Sequence, residues 1–251
     1  MTVIRAAAVQ LSPVLYSREK TVEKIVGKIA ELRSRKVQFA TFPEAIVPYY
    51  PYFTFLQPPF KLAAEHLRLM DQAVTIPSPA TDALGEAARQ AGIVVSIGVN
   101  ERDGGSLFNT QLLFDADGTL IQRRRKTTPT YHERILWGQG DGRGLIAVDS
   151  AVGRIGQLAC WEHYNPLARY ALIADGEQIH AAMFPGSFGG QLFSGTGRDQ
   201  RAQPCPRIRR VRRERHGLAG PRPTGPDRRG HRRSDRSDLA RVVHRDHLAA
   251  G

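Results

Sequence analysis

The chain reads as two different texts joined at Ser194. From Gly195 to Gly251 there are 16 Arg, 7 Gly and 5 Pro, and no Lys, Phe, Tyr, Trp or Met. Ordering the backbone costs about 1–2 kcal/mol per residue. A segment so poor in large apolar side chains buries too little surface to offset that. A packed core is therefore expected from residues 1–194 alone, with 195–251 an Arg/Gly/Pro-rich disordered tail. The first segment is long enough for one α/β domain. Arg, Gly, Pro, Ala and His without Lys is also what a GC-rich coding region yields in the wrong reading frame, so a frameshift near codon 194–195 is expected.

Charge breaks at the same place. The formal net charge is +12, but residues 195–251 hold 16 basic against 6 acidic groups, a net of +10. Residues 1–194 hold 20 against 18, a net of +2. Any attraction to nucleic acid is thus expected to be nonspecific, salt-sensitive and carried by the tail. The two cysteines, Cys160 and Cys205, have no metal or redox spacing and no disulfide framework. A reducing cytoplasm suits them. The N-terminus shows no signal-peptide pattern, and no stretch approaches the ~18 apolar residues of a membrane span. A cytoplasmic location with no membrane association is expected.

Within the first segment, strand-like and helix-like runs alternate. Residues 3–11, 37–42, 93–99, 154–159 and 179–184 are short apolar runs of strand type. Residues 18–35 place Val22, Ile25, Val26, Ile29 and Leu32 on one helical face. Helical patterns also cover 61–74, 81–91 and 165–176. Residues 108–114 and 119–124 flank Asp115-Ala116-Asp117-Gly118, a hairpin signal. The Pro- and aromatic-rich stretch 48–60 reads as a loop, and so does 137–144. Alternation of this kind argues an α/β class.

Three residues stand at the ends of strand-like runs and carry complementary chemistry. Cys160 follows 154–159 and precedes a helical segment, where α/β sheets place their sites. A helix N-terminus there would lower its pKa and favour the thiolate. Read alone, it is better explained as a packing residue. Glu44 follows Phe42-Pro43 and is a general base if apolar walls raise its pKa; otherwise it is an exposed loop carboxylate. Lys126 closes Arg123-Arg124-Arg125-Lys126 and is either a solvated basic edge or a point charge aimed at developing negative charge. Glu133, Glu162 and Trp161 are supporting candidates. Glu133 would orient the lysine or a water, and Glu162 would do similar work or cap the next helix. His163 is read as structural, because sequence adjacency rarely builds a Cys-His dyad. No G-x-S-x-G, Walker loop or H-E-x-x-H occurs.

Together, Glu44, Lys126 and Cys160 give the chain a resemblance to the nitrilase superfamily of carbon–nitrogen hydrolases, whose hallmark is a Glu-Lys-Cys triad. Cys160-Trp161-Glu162-His163-Tyr164-Asn165-Pro166-Leu167 resembles the nitrilase branch. So do Arg125-Lys126 with Pro129-Thr130 and Glu133-Arg134, and Trp137-Gly138-Gln139-Gly140-Asp141-Gly142. The resemblance covers roughly residues 3–194. It implies a four-layer α-β-β-α sandwich, subunits that pair into dimers and longer spirals, and cysteine-based hydrolysis of a nitrile to the acid and ammonia. It implies neither metal nor organic cofactor. Cyanide hydration or amide hydrolysis on the same triad are its sister activities. Two departures stand out: Tyr49 replaces a Gly common in the family, and the family's sequence after the Phe-Pro-Gly-Ser loop is absent. The second departure implies an incomplete C-terminal part, with an inactive truncated product as an alternative outcome.

Overall fold

A computed structural model describes residues 3–185 and the backbone of 239–243. In chain order the elements are β1 (Val3–Ala8), α1 (Arg18–Ser34), β2 (Phe39–Thr41), α2 (Ala63–Gln72), α3 (Pro79–Ala91), β3 (Val94–Asp103), β4 (Ser106–Phe114), β5 (Leu120–Arg125), β6 (Ile155–Ala159), α4 (Pro166–Ala174), β7 (Ile179–Met183) and β8 (Leu239–Val243).

Helix α1 starts where the Ser17 side chain accepts the Lys20 amide at 3.2 Å, satisfying one of the donors a helix start leaves unpaired. Its apolar residues recur at three- and four-residue steps, so Val22, Ile25, Ile29 and Leu32 are all buried on one face. Complete burial of Ile25 and Ile29 stabilises the fold by about 1.5–3 kcal/mol each.

Among the described residues, six strands form one sheet in the order β5-β4-β3-β2-β1-β8, and β6 and β7 form a second. β1, β2 and β3 run parallel, whereas β4 and β5 fold back antiparallel. One face of the large sheet packs on α1 and α3 through Val22, Ile25, Ala40, Val95 and Leu84. Its other face meets the small sheet through Ile4, Phe39, Val94 and Leu113 against Ile155, Ile179 and Ala181. Leu158 of β6 packs outward on Ala168 and Leu172 of α4. The layers are therefore helix, sheet, sheet, helix, the sandwich that the sequence led us to expect.

Element bounds differ in instructive places. β2 is only three residues long: the Phe42 amide still donates to the Ser96 carbonyl of β3 at 2.8 Å, and the chain then enters the turn that carries Glu44. β3 runs on to Asp103 and turns through Gly104-Gly105 into β4, so a second hairpin precedes the one at 115–118. Within the tail, Leu239–Val243 pairs antiparallel with β1, from Val3↔Val243 to Ala7↔Leu239. The rest of the tail, the boundary at 194 and the reading of disorder lie outside the described residues. Among the described residues no helix is long and apolar enough to cross a membrane.

Candidate active site

The site forms where β2, β5 and β6 end, beside the first half of β4. Glu44 sits on the turn after β2. Its neighbour Ala45 has a left-handed φ of 46°, and the Glu44 amide donates to the Phe184 carbonyl at 3.2 Å. This turn lies flat across β3 at Gly98, where a Cβ would overlap the Ala45 nitrogen and the Glu44 backbone. Only glycine lets the two backbones approach so closely.

Lys126 follows β5 directly. Its Nζ donates to Glu44 Oε1 at 2.8 Å and to Glu133 Oε2 at 2.7 Å. Lys126, Glu44 and Glu133 are all buried. Asn109 of β4 donates from Nδ2 to Glu44 Oε1 at 2.6 Å. Glu133 is held from every side: the Thr130 amide donates to Oε2 at 2.7 Å and the Tyr50 hydroxyl to Oε1 at 2.6 Å. Glu44 is not. Its Oε2 has no hydrogen-bond partner among the described residues.

Cys160 stands at the elbow between β6 and a 3-10 turn over Cys160–Tyr164, with a left-handed φ of 49° and little exposure. A non-glycine residue held there marks strain concentrated at a site. Burial pushes the thiol well above its ordinary pKa. The Glu44 carboxylate adds to that rise, and the Lys126 ammonium opposes it. The expected thiolate stabilised by a helix N-terminus is therefore not what the fold builds. The next α-helix starts only at Pro166, and burial wins over its dipole.

The other members respond to the same enclosure. Burial lifts the Glu44 carboxyl to about 7, with Lys126 pulling it down and Glu133 pushing it up. Burial by itself would lower Lys126, but the two carboxylates outweigh it and hold the ammonium above its ordinary range. Tyr50, from the loop 48–60, donates its hydroxyl to Glu133 Oε1, which places that loop beside the cluster.

The supporting candidates fare unequally. Glu133 joins the cluster. Glu162 lies outside it and ties the strand ends together: it accepts Arg124 Nη1 and Nη2 at 2.9 and 2.6 Å, the Thr127 amide and hydroxyl at 2.7 and 2.8 Å, and the Ala159 amide at 2.9 Å. The Trp161 indole is exposed and packs on Tyr164 at 5.1 Å; its contribution to Cys160 is its backbone N–H. His163 donates from Nδ1 to the Cys160 carbonyl at 2.6 Å, since a carbonyl can only accept. It bonds the main chain of Cys160, and burial lowers its pKa to about 4. Asn109, Tyr50 and Arg124 were not singled out from the sequence. Among the described residues no group of three or more His, Cys, Asp or Glu is placed to hold a metal ion.

The sequence profile of the carbon-nitrogen hydrolase family matches residues 5–201. The chain belongs to that family, within the nitrilase superfamily. It is 75% identical over 196 residues to Nitrilase 3 from an unknown prokaryotic organism, covering 77% of this chain and 59% of that one. It is 54% identical over 192 residues to a nitrilase of Paraburkholderia phymatum, covering 76% and 56%. It is 42% identical over 183 residues to an aliphatic nitrilase of Rhodococcus rhodochrous, covering 72% and 50%. The chain thus spans between half and three fifths of the length of these carbon-nitrogen hydrolases. A carbon–nitrogen hydrolase from Helicobacter pylori G27 superposes with a TM-score of 0.61 at 21% identity, covering 80% of this chain and 67% of that one. Nit3 of Saccharomyces cerevisiae superposes with a TM-score of 0.59 at 19% identity, covering 77% and 67%. These likenesses bear on the fold alone.

Proposed function

We propose that the chain is built for nitrile hydrolysis, with Cys160 as nucleophile, Glu44 as general base and Lys126 as electrostatic stabiliser. The observation that carries this reading is the asymmetry of Glu44. One oxygen is pinned by Lys126 and Asn109 while the other, inside a buried cluster, has no hydrogen-bond partner among the described residues. A buried lone pair without a donor is costly unless chemistry uses it. The nitrilases at 54–75% identity support the same reading.

The resting thiol is neutral, so it must be deprotonated as it attacks. Glu44, with a pKa of about 7, is matched to that step near neutrality. Oε2 takes the thiol proton as sulfur bonds to the nitrile carbon. The nitrile nitrogen collects a proton to give a thioimidate. Lys126 spends two N–H groups on Glu44 and Glu133 and keeps a third to face the developing charge. Water adds to the thioimidate, the C–N bond breaks and ammonia leaves a thioester. A second water, deprotonated by Glu44, cleaves the C–S bond and returns the thiol. The balance is one nitrile and two waters in, one carboxylic acid and one ammonia out. Covalent catalysis divides one slow hydration into several easier steps.

Ammonia release from aliphatic, aromatic and arylaceto-nitriles, cyanide and simple amides, with Cys160→Ala as control, tests the proposal. Cys160-dependent release from an organic nitrile supports it. Release from cyanide or amides alone moves the chain to a sister activity, and release unchanged in Cys160→Ala defeats it. Pairing of copies belongs to the same reading. Its support is an exposed apolar row on α4 and the turn before it: Trp161, Tyr164, Leu167, Tyr170 and Ile173.

A further inference from the structure

Three ionisable side chains next to the cluster take no part in the steps above. His180 of β7 has its Nε2 3.0 Å from His163 Nε2. Its Nδ1 lies 2.8 Å from Glu177 Oε2. His163 Nδ1 in turn bonds the Cys160 carbonyl at 2.6 Å. A continuous line therefore runs from Glu177 through two imidazoles to the main chain of the residue that carries the thiol. The surroundings are shaped for it. A Cβ at Gly156 of β6 would overlap Glu177 Oε2, so glycine there clears the path of the carboxylate. Phe184 lies flat against the His163 ring, 5.1 Å away at 18°. The Phe184 carbonyl also receives the Glu44 amide.

We propose that Glu177, His180 and His163 are positioning residues: a hydrogen-bonded relay that holds the Cys160 carbonyl and so fixes the direction in which the strained elbow presents its sulfur. The idea rests on Cys160 being the nucleophile and goes beyond it by naming what aims the thiol. Proton counting gives the relay a definite state. Three hydrogen bonds need three protons, and two neutral imidazoles supply two. A carboxylate supplies none, so the intact relay holds one extra proton. With His163 donating from Nδ1 and accepting at Nε2, the third hydrogen bond is the contact between His180 Nδ1 and Glu177 Oε2. At the other end, the carbonyl fixes the His163 tautomer, as a bonded partner fixes any neutral imidazole. An elbow residue at φ 49° relaxes toward the common backbone regions unless its surroundings hold it. The relay is the side-chain restraint on the Cys160 carbonyl.

The test compares shape with hydrogen bonding. Glu177→Gln keeps the shape and donates an amide proton to His180, supplying the third proton permanently. Glu177→Met keeps the volume and donates nothing. His163→Phe keeps the ring stacked on Phe184 and removes the N–H from the Cys160 carbonyl. Alkylation of Cys160 by iodoacetamide is followed in the full chain by peptide-resolved mass spectrometry, which separates it from Cys205. Melting temperatures are taken alongside. The expected order is Glu177→Gln within about threefold of the parent, with Glu177→Met and His163→Phe slower by roughly 10–100-fold, as for a nucleophile misplaced by about 1 Å. Where nitrile turnover is present, kcat should follow the same order with KM little changed. Alkylation of Glu177→Met at the rate of Glu177→Gln overturns the proposal, because packing alone would then suffice. If His163→Phe does not melt cooperatively, the two Glu177 variants decide. Thiol labelling needs no nitrile, so a chain without nitrilase activity that still shows this order separates failure of the assigned reaction from failure of the relay.

Discussion

Two buried carboxylates flank the end of β5, and the chain treats them in opposite ways. Glu162 receives five donors, with both oxygens satisfied. Burial would raise its pKa, but Arg124 and the backbone amides more than compensate and hold it below the ordinary range. Among the described residues Glu44 receives two donors, both on Oε1, and burial carries it up to about 7. The cations differ in kind as well. Arg124 offers a planar fork that grips a carboxylate with two bonds, whereas Lys126 is a point charge shared between two carboxylates. Equal burial therefore does not mean equal purpose. A carboxylate whose lone pairs are filled is a fastener, and one with an oxygen left open can move a proton.

The largest expected effect separates the two at once. Glu44→Gln removes the acceptor for the thiol proton and should lower kcat by roughly 10²–10⁴-fold, the usual worth of a positioned base. The melting temperature should hardly fall, because the substituted amide is neutral in a buried site. Glu162→Gln should act first on stability. Breaking one side of a buried ion pair leaves Arg124 uncompensated and costs about 3–5 kcal/mol, read as a lowered midpoint in urea or heat. If Glu162→Gln melts like the parent while Glu44→Gln unfolds, the assignment of fastener and base is reversed.

Gly98→Ala asks whether the Glu44 turn is held by the strand beneath it. The added methyl meets the backbone of Glu44 and Ala45, which cannot swing away as a side chain can. Overpacking of this sort costs about 1–3 kcal/mol, and a displacement near 1 Å at a reacting group costs on the order of 10² in rate. Activity should therefore fall further than stability accounts for. A Gly98→Ala chain with parental kcat would show that the turn is positioned from elsewhere.

Much of this contrast was legible in the chain, and the missing part has a physical cause. Strand-end placement drew attention to Glu44, Lys126 and Cys160, but each read alone has a structural explanation, and only the carboxylate, amine and thiol taken together point to a site. The run Arg123-Arg124-Arg125-Lys126 hid its meaning by looking uniform. Strand geometry divides it by alternation: Arg123 and Arg125 turn to Glu101, whereas Arg124 and Lys126 turn inward to Glu162 and Glu44. Period two was the available signal. Asn109 and Tyr50 gave none, since their value comes from lying beside Glu44 and Glu133 after folding. Alternating element types gave the α/β class, and the four layers came from the resemblance to the nitrilase superfamily. The short β2 and the Gly104-Gly105 hairpin came from neither, because a tight turn after Phe42 and a two-glycine reversal are settled by the neighbouring strands. The lowered thiol pKa expected at Cys160 failed for a related reason: position before a helix is visible in sequence, burial is not.

The smallest effect tests the rule behind the contrast, that donor count sets the pKa. Glu44 must be a carboxylate to take the thiol proton, so kcat/KM should fall as pH drops through about 7. The limb belongs to the coupled cluster rather than to Glu44 alone. Asn109 donates to Glu44 Oε1 and favours the charged form. Its removal in Asn109→Leu should therefore move the acid limb to higher pH, by up to about one unit. Stability carries the opposite signs for the two carboxylates. Glu44, raised on folding, contributes most below the ordinary carboxylate range and loses that contribution as pH rises through about 7. Glu162, lowered on folding, contributes above the ordinary range and loses it as pH falls through its depressed value. An Asn109→Leu chain whose acid limb stays in place, or moves to lower pH, would break the link between unfilled lone pairs and proton transfer on which the comparison depends.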